Sequence, residues 1–247
     1  MTRSAIALVL ASALLAQDKP KPPPKEMPVV RYPVPLAVSP GQKTKVTLRG
    51  AKLDGVTAVT AADGVTVKVA GKGRKAAVPN GYPADQFGDT EIEVEIDVPK
   101  GFAAGHVPLV AVAPGGKSEP HHLTVAPPGT AEKEPNDGFD QPQEITLPAT
   151  VEGTIGREKD VDVFRFAGKK GQTVTVRVDA AKLGSPADLL LTVSDADRRT
   201  LKLVDDVSGQ ADPAVTLTLP ADGAYFVSLI ESRDLGGPAF GYRLRVE

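Results

Sequence analysis

The sequence has no cysteine and no tryptophan, and its 247 residues include only seven phenylalanines and four tyrosines. Without cysteine the chain has neither disulfides nor a thiol nucleophile, so its stability must come from packed cores or from a bound group. Charge of either sign is not in excess, since 29 basic residues stand against 31 acidic ones, for a net charge of −2. A nucleic-acid-binding protein normally carries a basic excess, so we expect no nucleic-acid partner.

The familiar catalytic motifs are absent as well. No serine stands in a G-x-S-x-G motif, and none of the three histidines, His106, His121 and His122, belongs to an H-E-x-x-H motif. The adjacent His121 and His122 would point to opposite faces of a strand and could not easily share a metal ion. We therefore expect a protein that is not an enzyme. A hydrolase with an unrecognised site is the remaining catalytic alternative.

The first residues, MTRSAIALVLASALLAQ, place Arg3 before an apolar run from Ala5 to Leu15 and then small residues. This order predicts a secretory signal peptide over residues 1–16 and an exported protein, in the periplasm, outside the cell or at the cell surface. The apolar run is too short to span a bilayer, so no stable membrane insertion is expected. Residues 17–28, QDKPKPPPKEMP, predict an extended Pro/Lys-rich linker.

The rest of the chain is patterned as short strands. In EIEVEIDV, residues 91–98, apolar and acidic residues alternate strictly, which predicts one buried and one solvated face. TVTVRV, AVTLTL, AYFVSLI and GYRLRV alternate in the same way, and no segment has helical periodicity. We predict an all-β fold of two consecutive antiparallel β-sandwich domains, the first at 29–126 and the second at 132–247, joined by a linker at 127–131.

An acidic stretch, AEKEPNDGFD, stands where the second domain begins. Glu132, Glu134 and Asn136 are spaced two apart, so in an extended segment they lie on one side of the chain. Pro135 favours an extended conformation at the residue before it. Oxygen ligands on an extended backbone suit a hard cation such as calcium.

A second acidic segment, KDVDVFRF, follows at residues 159–166. Asp160 and Asp162 share the parity of Phe164 and Phe166, which must face the core because Arg165 lies opposite. The two aspartates then lie at the rim of the buried face, where a carboxylate is costly unless a hydrogen bond or a cation neutralises it.

These two segments together predict a Ca²⁺ site. Its ligands would be Glu132, Glu134, Asn136, Asp160 and Asp162, with Asp137 as a possible further ligand. The alternative is a linker whose acids are only solvated, with Asp160 and Asp162 capping turn amides.

The second domain also resembles the bacterial pre-peptidase C-terminal domain. The segments EKEPND, TVEGTIG, DVDVFRF, GKKGQTVTVRV, ADLLLTVSDAD, VDDV and LPADGAYFVSLIES follow one another in that family's order, over residues 132–247. The resemblance implies a non-catalytic β-sandwich appended to secreted bacterial proteins, often peptidases, that serves secretion, anchoring or substrate binding.

Calcium binding is also implied by this resemblance, because relatives in clostridial collagenases use calcium near the E-x-E-P-N segment. It implies Glu132, Glu134, Asn136 and Asp137 as ligands by motif; the spacing of acids varies among relatives at Asp160 and Asp162. Collagen binding is not implied. The sequence is poor in the aromatics that such a surface would need, although Tyr225, Phe240 and Tyr242 remain candidates.

The first domain resembles an immunoglobulin-like module of the TIG type. The resemblance is carried by SPGQKTKVTLRGAKLDGVTAV, with Gly41, Gly50 and Leu53 in fitting places. Taken together, the sequence predicts an exported accessory protein, stabilised by calcium, that binds an extracellular or envelope macromolecule, either a protein or a polysaccharide. A passive cell-surface spacer without a ligand is the alternative.

Overall fold

The computed structural model describes residues 27–62, 64–206 and 211–247. The predicted signal peptide at 1–16, and all of the predicted linker at 17–28 except its last two residues, lie outside the described residues. Strands account for 49% of the chain and helices for 5%, which confirms the predicted all-β fold. In the described part of the chain no helix is both long and apolar enough to cross a membrane.

The described residues of the first half form ten strands and one short α-helix, besides a 3-10 helix at Leu53–Gly55. They are β1 (Val29–Val34), β2 (Ala37–Val38), β3 (Lys43–Ala51), β4 (Ala58–Thr60), β5 (Thr66–Val69), β6 (Arg74–Lys75), α1 (Ala84–Phe87), β7 (Thr90–Asp97), β8 (Gly105–Ala113), β9 (Gly116–Lys117) and β10 (His121–Val125). One sheet has the order β1-β3-β7-β5, with β6 paired to β7. The other has the order β2-β10-β8-β4, with β9 paired to β8.

Strand β7 follows the alternation that its sequence predicts. Ile92, Val94 and Ile96 are at most 1% exposed and lie in the core between the two sheets. The glutamates of β7 point to the opposite face, where Glu91 pairs with Arg49 at 3.2 Å. One face of the strand is therefore dry and the other is solvated, as an antiparallel sandwich requires.

The described residues of the second half form ten further strands. They are β11 (Thr130–Ala131), β12 (Gln143–Glu144), β13 (Ala149–Thr154), β14 (Val161–Gly168), β15 (Thr173–Asp179), β16 (Leu189–Ser194), β17 (Thr200–Val204), β18 (Ala214–Thr218), β19 (Gly223–Glu231) and β20 (Gly241–Val246). Their two sheets have the orders β11-β13-β20-β15-β18 and β12-β14-β19-β16-β17.

Strand β14 lies inside the second of these sheets, between β12 and β19. Phe164 and Phe166 are at most 1% exposed and belong to the apolar core of this half. Arg165 points the other way and pairs with Glu144 at 2.6 Å. The parity predicted for this strand is therefore confirmed.

The architecture departs from the prediction in two details. Three two-residue pairings, β2 with β10, β11 with β13 and β12 with β14, run parallel instead of antiparallel. They cover sheet edges that would otherwise leave backbone groups unpaired. The helix α1 was not predicted, because four residues are too few to show helical periodicity.

An aromatic cluster joins the two halves. Tyr82 and Phe87 of the first half pack against Phe240 of the second, and Tyr32 packs against Phe87; ring centroids are 5.1–6.1 Å apart in the four pairs. The guanidinium of Arg233 lies 4.8 Å from the Tyr82 ring centroid and donates to the Tyr82 hydroxyl. Edge-on and tilted ring pairs of this kind stabilise a contact beyond the apolar area they bury.

Replacing Phe240, which is 1% exposed, tests this contact. We expect Phe240→Ala to lower the free energy of unfolding in urea by about 3–5 kcal/mol, the range for a buried phenylalanine. Leu203→Ala is the control, because Leu203 is 61% exposed and a surface change costs within about 0.5 kcal/mol. Equal effects of the two substitutions would show that the aromatic cluster does not stabilise the protein.

Candidate metal centre

The predicted ligand residues lie together at one end of the second half. Their carboxylate oxygens form two adjoining groups, and within each group these atoms lie within 4.8 Å of one another. One group is Glu132, Glu134 and Asp162, and the other is Glu134, Asp137 and Asp160. Asn136 joins the first group, since its Nδ2 donates to Glu132 Oε1 at 3.1 Å.

The lead-in segment, residues 132–140, is held against this end of the sandwich by backbone contacts. It continues from β11, and the Glu132 amide donates to the Glu152 carbonyl at 3.0 Å. The Val163 amide of β14 donates to the Asn136 carbonyl at 2.9 Å. The Glu134–Pro135 peptide bond is cis. The segment thus runs directly across β14, where the two aspartates lie.

The aspartates of β14 are among the most deeply buried acids in the described residues. Asp162 is 0% exposed, and Asp160, just before the strand begins, is 2% exposed. Asp162 lies on the face of β14 that carries Phe164, as the spacing predicts. A carboxylate in such a place needs a compensating partner.

Glu132, Asp162 and Tyr242 share one hydrogen-bonding centre. The Tyr242 hydroxyl lies 2.6 Å from Glu132 Oε1 and 2.7 Å from Asp162 Oδ2. The other oxygen of Glu132 accepts the Thr154 amide at 2.8 Å. A phenol has one hydrogen to donate, so it cannot satisfy both carboxylates at the same time. Either a proton or a cation must supply the missing positive charge.

Two oxygen atoms in this centre have no hydrogen-bond partner. Oδ1 of Asn136 and Oδ1 of Asp162 are both inaccessible to solvent and unpaired among the described residues. Buried polar atoms are nearly always paired, so such an orphan requires an explanation. Ca²⁺ binds six to eight oxygens at about 2.3–2.6 Å, which puts opposite ligands at most about 5 Å apart. The donor set and its spacing therefore fit this ion.

The electrostatics of the centre agree with its geometry. Burial is the largest cause and the neighbouring negative charge of Glu132 the next, and together they raise the pKa of Asp162 to about 9. Burial also raises the pKa of Glu134, an effect that the Asn136 amide opposes. Burial raises the pKa of Tyr242 well above its usual value, so the phenol stays protonated. Without a metal, the raised pKa of Asp162 favours its protonated form at neutral pH.

The outer group has a different partner. Asp160 accepts the Gly156 amide at 2.6 Å, which is the turn-capping role that the alternative interpretation gave it. Arg157 donates to Asp160 and, at 2.7 Å, to Asp137. Asp162 accepts no backbone amide from the residues that the structure describes, so capping does not account for it.

Sequence reasoning missed three contributors to this centre: Tyr242, the Thr154 amide and Arg157. The alternation in GYRLRV could have placed Tyr242 on the buried face with Leu244 and Val246. Instead Tyr225, Phe240 and Tyr242 were kept as candidates for an exposed aromatic surface, which is wrong because all three are at most 2% exposed. Each packs in the core of the second half.

A further acidic group, Asp188, Asp205 and Asp206, lies elsewhere on the second half. Two of these residues are exposed, and Asp188 accepts a hydrogen bond from Ser232 at 2.7 Å. No buried oxygen in this group is unpaired among the described residues, so it is not a comparable candidate.

The raised pKa of Asp162 predicts a pH dependence of the chelated protein. The folded form keeps a proton up to pH about 9, whereas the unfolded form loses it near pH 4, the ordinary value of about 3.9. The folded state therefore binds more protons across this window, so the group's contribution to stability is lost as pH rises from about 4 towards 9.

Melting temperatures of wild type and Asp162→Asn in excess chelator, from pH 5 to pH 9, test this assignment. Asparagine resembles the protonated acid and cannot ionise. The melting temperature of the variant should therefore rise relative to that of wild type as pH rises. Glu158→Gln, an exposed acid in the neighbouring loop, should show no such trend. A constant difference between wild type and Asp162→Asn would mean that Asp162 is ionised throughout.

Comparison with known proteins identifies the family of part of this half of the chain. Residues 160–230 match the family described as the bacterial pre-peptidase C-terminal domain. This range includes both aspartates of the centre and begins after the lead-in segment. The resemblance of residues 29–126 to TIG-type modules stays a prediction, because the match does not extend to them.

A probable subtilase-type serine protease of Deinococcus radiodurans is 36% identical over 99 residues, which cover 39% of this chain and 14% of the protease. The chain thus spans a small part of that relative's length.

Two solved structures are also similar. The pre-peptidase C-terminal domain of a collagenase from Bacillus anthracis is 13% identical, with a TM-score of 0.34, over 49% of this chain and 99% of that one. A periplasmic inhibitor of g-type lysozyme from Aeromonas hydrophila is 18% identical, with a TM-score of 0.31, over 42% of this chain and 96% of that one. Through its match at residues 160–230, this chain contains a bacterial pre-peptidase C-terminal domain.

Proposed function

We propose that Ca²⁺ binds between the lead-in segment and β14. The observation that carries the proposal is the pair of buried, unpaired oxygens on Asn136 and Asp162, inside a cluster whose ligand atoms are all oxygen. The residues that would hold the ion are Glu132, Glu134, Asn136, Asp137, Asp160 and Asp162.

The ion would supply positive charge to a cluster in which negative charge is in excess. Five carboxylates meet in the two groups, and Arg157 is the cation that hydrogen-bonds to them. A divalent ion would leave Asp162 ionised and free the Tyr242 hydroxyl to donate to one carboxylate. The lead-in segment would then be tied to β14 by ionic contacts as well as by backbone hydrogen bonds.

Thermal unfolding with and without calcium tests this proposal. Calcium at a hundred times its dissociation constant should stabilise the folded protein by about 2.7 kcal/mol. Glu132→Gln and Asp162→Asn should each lose most of this shift, because each removes a charged ligand. Glu158→Gln removes an equal charge from an exposed position in the adjoining loop and should keep the shift.

Calorimetric titration of the same four proteins gives a second, independent readout. Wild type and Glu158→Gln should bind one calcium ion with similar affinity. If wild type shows neither heat of binding nor a change in melting temperature, the acids are only solvated and hydrogen-bonded.

We also propose that the protein is an exported, non-catalytic accessory module that binds an extracellular or envelope macromolecule, a protein or a polysaccharide. The support is the family of residues 160–230, together with a protease relative in which the similar region is a small part of a much longer chain. The aromatic cluster between the halves would present both sandwiches to such a partner in one orientation.

Retention experiments test this second proposal. Immobilised protein is exposed to bacterial envelope extract and to insoluble polysaccharides, in calcium and in chelator, with Asp162→Asn as the matched variant. We expect one reproducible partner, held more tightly by the calcium form of the wild type. Absence of any retained partner in both conditions would instead favour a passive spacer.

A further inference from the structure

One cationic side chain contacts the same carboxylates that the proposed calcium ion would use. The guanidinium of Arg157 donates through Nη2 to Asp137 Oδ1 at 2.7 Å and through Nη1 to Asp160 Oδ1. Its two nitrogens therefore bridge an acid of the lead-in segment and an acid next to β14. This is the connection that the ion itself would make.

The backbone around Arg157 is fixed by the fold. The Asp160 amide donates to the Arg157 carbonyl at 3.3 Å, and the Lys159 amide donates to the Asp234 carbonyl at 3.1 Å. Gly236 packs so closely that a Cβ atom there would lie 2.0 Å from the Arg157 carbonyl oxygen. The loop therefore holds the origin of the arginine side chain beside the acids.

The guanidinium itself is less restrained than its backbone. The Arg157 side chain is 58% exposed, whereas that of Asp160 is 1% exposed. The arginine can turn out into solvent, where a guanidinium is well hydrated, but the aspartate must stay and needs a positive partner. The two ion pairs can therefore be broken by movement of the arginine side chain alone.

We propose that Arg157 is a built-in counter-cation that competes with calcium for Asp137 and Asp160 and so sets the affinity of the site. This inference rests on the calcium site proposed above. In the absence of the ion, the arginine pairs with both aspartates of the outer group and keeps the lead-in segment docked. When calcium binds, Asp160 and Asp137 exchange the guanidinium for the ion, and the lost ion pairs weaken calcium binding.

Charge removal at Arg157, with a neighbour as control, tests the competition. Arg157→Gln should tighten calcium binding by about tenfold, because the ion no longer has to displace a guanidinium from Asp137 and Asp160. Lys159→Gln removes an equal charge two residues away, from a side chain that makes no ion pair among the described residues, and should change the affinity little. Arg157→Lys should fall between wild type and Arg157→Gln, since an ammonium cannot bridge two acids as a planar guanidinium does.

Melting temperatures in chelator give a readout that does not involve calcium. Arg157→Gln should melt below wild type there, because Asp160 loses its cationic partner, and calcium should restore more stability to this variant than to wild type. Lys159→Gln should melt like wild type in both conditions.

The outcomes separate the two proposals. If wild type binds calcium and Arg157→Gln binds it equally or more weakly, Arg157 does not compete and only this inference is wrong. If the two glutamine variants tighten binding equally, the effect is general electrostatics, and again only this inference is wrong. If neither wild type nor Arg157→Gln binds calcium, the site and the competition are both wrong.

Discussion

The second half of this protein is organised around negative charge at a place where solvent is excluded. Asp162 is fully buried, Glu132 lies against it, and a single phenolic hydrogen from Tyr242 stands between them. A buried carboxylate and a half-buried one in this contact cannot both be ionised without a cation. The lead-in segment, the start of β14 and the loop that carries Arg157 all meet at this point, so its charge balance determines how firmly they hold together.

The lead-in segment is anchored to the sandwich at both of its ends. At its near end, β11 pairs with β13. At its far end, Phe139 packs edge-on against Phe226, with ring centroids 5.1 Å apart, and Arg198 lies over Phe139 while pairing with Asp140. Because both ends are anchored to the sandwich, few conformations remain for the acids between them. A cation would find its ligands near one another before it binds, which lowers the entropic cost of assembling the site.

The acidic centre is connected to the contact between the two halves. Ile155, next to the Thr154 amide that binds Glu132, exchanges backbone hydrogen bonds with Phe240 and Gly237 at 3.1 and 2.8 Å. Phe240 is also the ring against which Tyr82 and Phe87 of the first half pack. The same few neighbouring residues therefore contact both the acidic centre and the interface that orients the first sandwich. For an accessory module, such a connection would let a bound ion stabilise the surface that both halves present.

Much of this arrangement can be predicted from local patterns in the sequence. Strict alternation predicted the faces of β7 and β14, and the two-residue spacing of the acids predicted which side chains would approach one another. These patterns involve residues close together in the sequence. For such residues the geometry of the extended backbone alone decides on which face each side chain lies. The short parallel pairings and the helix α1 carry too few residues to leave such a pattern.

The partners of the acids were decided only by the tertiary structure. Tyr242 lies 110 residues from Glu132 and 80 from Asp162 along the chain, yet it forms the centre of the site. Arg157 and the aromatic cluster between the halves likewise depend on how loops from distant strands come together. Sequence by itself determined which residues bring carboxylate and amide oxygens together and which faces are buried, because those follow from spacing. Which donor, proton or cation satisfies each ligand depends on packing between strands far apart in the chain, and only the folded structure could decide it.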